Sequence, residues 1–121
     1  MKPASKLRIV NATRGTVIAD RASIAGTSGE RRTGLLKHSE LLPGDGLWIA
    51  PCECIHTFGM KFAIDAVFLT RKKKVAKIAA GLPRRRLAMA LLADSVLELP
   101  AGTASRTDTQ IGDQLIFEEA V

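Results

Sequence analysis

Aromatic side chains are scarce in this chain of 121 residues: one Trp, four Phe and no Tyr. Its core must therefore be built from Leu, Ile, Val and Ala, and recognition by stacked aromatic rings has little to work with. There are only two cysteines, Cys52 and Cys54, one residue apart. A bond between them would close a very small, strained ring, which makes a poor structural staple. A reduced, cytosolic setting is the simpler reading. No apolar stretch approaches the roughly 18 residues of a membrane span. The basic opening segment has no apolar run behind it and fails as a secretory signal. Internal repeats and low-complexity linkers are also missing. The expectation is one cytoplasmic domain over residues 1–121, with no membrane partner.

Hydrophobic residues make up 46% and charged residues 25%, which excludes disorder. A chain of this length buries roughly two-thirds of its unfolded surface, so it folds without staples. Lys and Arg outnumber acidic residues 18 to 12, a formal charge of +6. That balance favours acidic partners without identifying one. The positive charge is densest in Arg71–Lys74 and Arg84–Arg86. Both runs suit phosphate, but neither carries a stacking aromatic, and no helix-turn-helix, zinc-finger or RNA-recognition signature is present.

Leu7–Val10 and Thr16–Ala19 read as strands joined by a turn at Gly15. Thr27-Ser-Gly-Glu30 has the capping-box spacing and starts a short helix reaching about Lys37, with Leu35 and Leu36 inward. Further strands fall at Leu47–Ala50, Phe62–Thr70, Val75–Ala79, Val96–Leu99 and Gln114–Glu118, and Cys52–Phe58 is extended. Arg84–Ala93 is a short helix or an irregular crossover. Many short strands between turn signals imply a mainly β (α+β) domain, a β-sandwich or barrel-like fold with one or two short helices.

The densest stretch of chemistry is Cys52 to Asp65. Cys52, Cys54 and His56 alternate, so in an extended chain they share a face. Thiolates and an imidazole suit zinc or copper, but three ligands without a second pair elsewhere make only a weak metal candidate. His56 with Asp65 fits a base and its orienting carboxylate, with Thr57 or Cys54 as nucleophile. Asp65 is equally readable as a structural, hydrogen-bonded carboxylate. Glu98 takes the strand face opposite Leu97 and Leu99. If a loop covers that face, Glu98 is a semi-buried partner for Arg31, Arg32 or His56.

These residues also carry a resemblance. Arg32-Thr-Gly34-Leu-Leu36, Gly46-Leu-Trp48, His56-Thr-Phe-Gly-Met60 through Asp65-Ala-Val-Phe68, Val96-Leu-Glu98-Leu-Pro-Ala-Gly102 and Ile111-Gly-Asp113 occur in the order found in one prokaryotic family. From about residue 27 to 117 the chain resembles domain of unknown function 192. The resemblance implies a small β-rich fold with motif positions Arg32, Gly34, Trp48, His56, Met60, Asp65, Glu98 and Gly102. It implies no established activity or cofactor. Two departures stand out. Many relatives have an acidic turn in place of Arg71–Lys74, and a Trp-Met pair where this chain has Phe58-Gly59-Met60.

The leading expectation is a pocket for a small polar or anionic ligand. Trp48, Phe58 and Met60 form its walls, and Arg32, His56, Asp65 and Glu98 supply its polar contacts. The alternatives are an enzyme using His56 as general acid–base, and a nucleic-acid-binding module using the two basic runs.

Overall fold

The computed structural model describes residues 6–120 except 36, 37 and 39, and for 32 and 33 the backbone only. Among the described residues, nine strands and two short helices follow in chain order. They are β1 (Leu7–Asn11), β2 (Thr16–Ala25), α1 (Ser28–Thr33), β3 (Asp45–Ile49), β4 (Cys54–His56), β5 (Ile64–Leu69), β6 (Val75–Leu82), β7 (Leu87–Met89), β8 (Ser95–Pro100), α2 (Thr103–Arg106) and β9 (Leu115–Glu119). Seven of them form one sheet in the order β6-β5-β8-β3-β2-β1-β9, and β4 pairs with β7 in a separate ribbon. All neighbours are antiparallel except β2 and β3. The parallel pair is linked through α1, because a parallel return cannot be made by a tight hairpin.

The sheet curls into a half-barrel. A β-bridge between Lys74 and Gln114 draws its two edges together, at the start of β6 and the start of β9. Curling gives the sheet an inner and an outer face, and alternation along each strand sorts residues between them. Ile9, Ile18, Val67, Leu69, Leu97, Leu99 and Leu115 fill the inside. Leu47, Ile49, Ile64, Ala66, Phe68 and Val96 face outward, where Leu35, Ile55, Met60 and Ala88 cover them. Ile55 and Ala88 belong to the ribbon, which is how two three-residue strands stay attached. A two-stranded hairpin alone is marginal in water.

The capping box forms as read: Thr27 Oγ1 accepts from Glu30 N–H, and Glu30 accepts from Thr27 N–H. The helix it starts ends at Thr33, short of the expected Lys37, because Gly34 leaves helical geometry at φ 49°. Leu36 and Lys37 lie outside the described residues. Arg84–Ala93 contains β7 in place of the expected helix or crossover, since Leu87–Met89 finds a partner in β4. No sequence signal marked α2. Its N-cap is Gly102, which offers no side chain.

That cap comes from Asp65. The residue lies on β5 opposite Leu99, facing the inside of the barrel, and is 1% exposed. Its Oδ2 accepts from Gly102 N–H at 3.1 Å and Ala104 N–H at 2.8 Å, and its Oδ1 accepts from Gly81 N–H at 2.8 Å. Three backbone donors converge on one carboxylate. Asp65→Asn has a single acceptor oxygen and must orphan at least one of them, at about 1–3 kcal/mol. Asp65→Ala orphans all three, and about 3–5 kcal/mol of stability should be lost. Urea unfolding measures both, and a loss below about 0.5 kcal/mol for the Ala variant would refute the role.

Candidate functional site

Between the outer face of the sheet and the β4–β7 ribbon lies a recess of about 540 Å³. Its floor is Ile49 of β3 and Glu98 of β8. One wall is Ser28 and Arg31 of α1 with Gly34 and Leu35 just after it, and the other is the segment Pro51–His56 with Met60. The volume is that of an ordinary small-molecule site, and the lining mixes apolar side chains with a few polar ones.

Glu98 occupies the centre of this geometry. It pairs across the sheet with Leu47 on one side and Ala66 on the other, so it shares the outer face with them. It is 3% exposed. Among the described residues no donor lies within hydrogen-bond distance of its carboxylate. Its nearest backbone neighbour is Gly34, where an added Cβ would stand 3.8 Å from Oε1. The lack of a side chain at position 34 leaves Glu98 open toward the recess. Burial pushes its carboxyl up to about 7. A carboxylate removed from water without a partner favours its neutral form.

Arg31 and His56 stand on opposite walls. Arg31 Nη1 donates to the Gly26 carbonyl at 2.6 Å, which anchors the guanidinium beside the start of α1. His56 ends β4, with its ring 5.9 Å from that of Phe58. Cys52 is half-buried and Cys54 exposed, and both thiols are free. Burial pushes the Cys52 thiol up. A hydrogen bond from the Cys54 backbone to the sulfur pulls the other way, and the negative charge of Glu98 adds to the rise.

The expected pocket residues divide into three groups. His56, Met60 and Glu98 come together as read, with Cys52 and Cys54 beside them. Asp65 and Trp48 do not line the recess, because they project to the other side of the sheet. Asp65 is therefore not the orienting partner of His56; its carboxylate is committed to the backbone of α2 and β6. Trp48 packs edge-on against Phe117 at 4.8 Å with Lys73 Nζ 5.0 Å above its ring. Phe58 is half exposed and absent from the lining, and the side chain of Arg32 lies outside the described residues.

Thr57 is fully buried. Its hydroxyl donates to the Pro83 carbonyl at 2.6 Å and accepts from Arg86 N–H at 2.8 Å, so it pins the ribbon. Among the described residues no three of His, Cys, Asp and Glu converge closely enough to hold a metal ion. The sequence reading understated Ser28, Arg31 and Leu35. Their signal was present in the capping box, which fixes the helix start. From there, a spacing of three places Ser28 and Arg31 on one side of α1, and Leu35 follows the break at Gly34.

Fold and site define a class: a small curled-sheet protein with a polar recess beneath a two-stranded ribbon. The model of the family called domain of unknown function 192, described as Uncharacterized ACR, matches residues 9–117, and the chain belongs to that family. It is 30% identical over 118 residues to a UPF0127 protein of Thermococcus sibiricus, covering 91% of this chain and 74% of that one. Two crystal structures share the fold. One is a protein of unknown function from Novosphingobium aromaticivorans (TM-score 0.79, 22% identity, 92% of this chain and 83% of that one). The other, from Sinorhizobium meliloti, is described as a candidate transcription regulator (TM-score 0.82, 20% identity, 93% and 92%). No helix among the described residues is long and apolar enough to cross a membrane.

The buried Glu98 makes stability depend on pH. Its folded value of about 7 lies above the ordinary 4.5, so the folded state holds the proton more tightly. The resulting stabilisation is complete below about pH 4.5 and is lost as pH rises through 7. Glu98→Gln should remove that slope. Relative to the parent, the variant gains on the order of 3 kcal/mol between pH 4.5 and pH 8. Parallel curves for the two proteins in denaturant titrations across this range would contradict the assignment.

Proposed function

We propose that this protein binds a small polar molecule in the recess between α1, β8 and the β4–β7 ribbon. The observation that carries this reading is the Glu98 carboxylate, buried without a donor among the described residues and facing a cavity of ligand size. A buried polar group without a partner costs about 1–3 kcal/mol, and a ligand N–H or O–H at this point offsets that cost. Arg31 and His56 complement Glu98 by offering donors. The fitting ligand therefore carries a donor on one side and an acceptor or anionic group on the other, around a small apolar body that meets Leu35, Ile49 and Ile55. Trp48 and Asp65 have no part in the contacts.

The nucleic-acid reading gains no support from the placement of charge. β6 is eight residues long and separates the two basic runs by roughly 25 Å along its length. Within the first run, Lys73 is engaged over Trp48.

The test is a screen of small polar fragments by amide NMR on the full chain. The expected hits move resonances of Gly34, Ile49, Cys54 and His56, and they lose affinity about tenfold or more in Glu98→Leu. Hits that cluster away from these residues, or that bind the variant equally well, would defeat the reading.

A further inference from the structure

Cys52 and Cys54 stand on the wall of the recess and have no part in the reading above. Two residues apart, their Cα atoms lie at most about 7 Å from one another in a straight chain, close to the upper limit for a disulfide of about 6.8 Å. The chain is not straight there: it bends at Glu53 before β4 begins. The bend already turns Cys52 Sγ back to within 3.2 Å of the Cys54 carbonyl. The two thiols are unequal in the way exchange requires. Cys54 is exposed and open to attack a molecule in solution, while Cys52 is half-buried. Glu98 shares the recess with both, and it is a carboxylate with no donor of its own among the described residues.

We propose that Cys52 and Cys54 are a dithiol–disulfide redox pair that reduces small disulfides, with Cys54 attacking and Cys52 resolving. The Cys54 thiolate attacks one sulfur of R–S–S–R, the S–S bond breaks, and RS⁻ leaves with the electron pair. The Cys52 thiol then passes its proton to the Glu98 carboxylate and attacks Cys54 Sγ. A second RS⁻ leaves, and the Cys52–Cys54 bond closes. The protein loses two electrons and the small disulfide gains them. The small ring that disqualifies this bond as a staple makes the dithiol a mild reductant, because strained and exposed disulfides are the readily reduced ones, and it suits the pair to an oxidant that releases a stabilised thiolate. The Glu98 charge that raises the Cys52 thiol is neutralised by the proton it accepts, so the resolving thiolate forms as the repulsion disappears. None of this depends on which molecule the recess binds.

The reduced full-length protein is mixed with an aromatic disulfide, dithiobis(nitrobenzoate), while thiolate release and intact mass are followed. Two phases of release are expected, ending in an unmodified chain that has lost a pair of hydrogens. Cys52→Ser should keep the first phase and stop at the mixed disulfide. Cys54→Ser should lose the fast phase. Glu98→Gln should leave the first phase intact, slow the second by about tenfold, and abolish its inflection near pH 7. Two aryl adducts on one chain, or disulfide-linked dimers in place of the internal bond, would overturn the redox pair. An unchanged second phase and pH profile in Glu98→Gln would overturn the role of Glu98.

Discussion

The structure depends on one carboxylate accepting three backbone N–H groups. Asp65 joins the end of β6 at Gly81, the turn after β8 at Gly102 and the first turn of α2 at Ala104. These segments meet at one end of the half-barrel, and nothing in their own sequence caps α2. A helix of four residues has no stability of its own; it exists here because a neighbouring strand supplies the acceptor its N-terminus lacks. The same bonds hold β5 and the end of β8 in register, and with that register they decide which β8 residues face the ribbon.

Register is what separates the two acidic residues of the paired strands β5 and β8. Asp65 stands opposite Leu99 and Glu98 opposite Ala66, so one step along the ladder places the two carboxyl groups on opposite faces of the sheet. Asp65 faces in and is saturated by donors. Glu98 faces out and has none among the described residues. Asp113, a third buried carboxylate, resembles the first. Hydrogen bonds from Arg14, Asn11 and the Gln110 backbone hold its carboxyl down to about 2. Asp113 is bound into the structure as an anion, Asp65 is saturated by backbone donors, and burial raises Glu98 toward neutrality. The opening at Gly34 keeps the recess continuous with the carboxylate.

How much of this was legible follows the range of the interactions. Local signals read well. The capping box at Thr27, the Arg71–Lys74 turn and the alternation around Leu97-Glu98-Leu99 all appear as expected, and so does the mainly β class with one or two short helices. Interactions that span the chain could not be read. The cap of α2 lies 37 residues from its acceptor. The strand at Leu87–Met89 is recognisable only once β4 is known to lie beside it. The order of the motif blocks along the chain groups Trp48 and Asp65 with His56. Their faces, however, are set by pairing with β2, β8 and β6, which no single segment encodes. Glu98 could be placed on the correct strand face, but its burial required knowing that the ribbon and α1 close over it.

The roof of the recess is held differently from its floor. The floor belongs to β3 and β8, central strands of the seven-stranded sheet. The roof is a ribbon with three pairs in register, anchored by the buried side chains of Ile55 and Ala88 and tied at both ends. At one end Thr57 binds Pro83 and Arg86. At the other, Cys52 N–H donates to the Asp94 carbonyl at 2.8 Å and Ala90 N–H to the Glu53 carbonyl at 3.0 Å. These last two bonds hold the backbone on either side of Glu53 and leave the thiols of Cys52 and Cys54 outside the ladder. The ribbon therefore fixes the chain that carries His56 and both cysteines, with both thiols outside its backbone ladder. A binding wall requires that rigidity, and thiol exchange requires sulfur atoms that the ladder does not use.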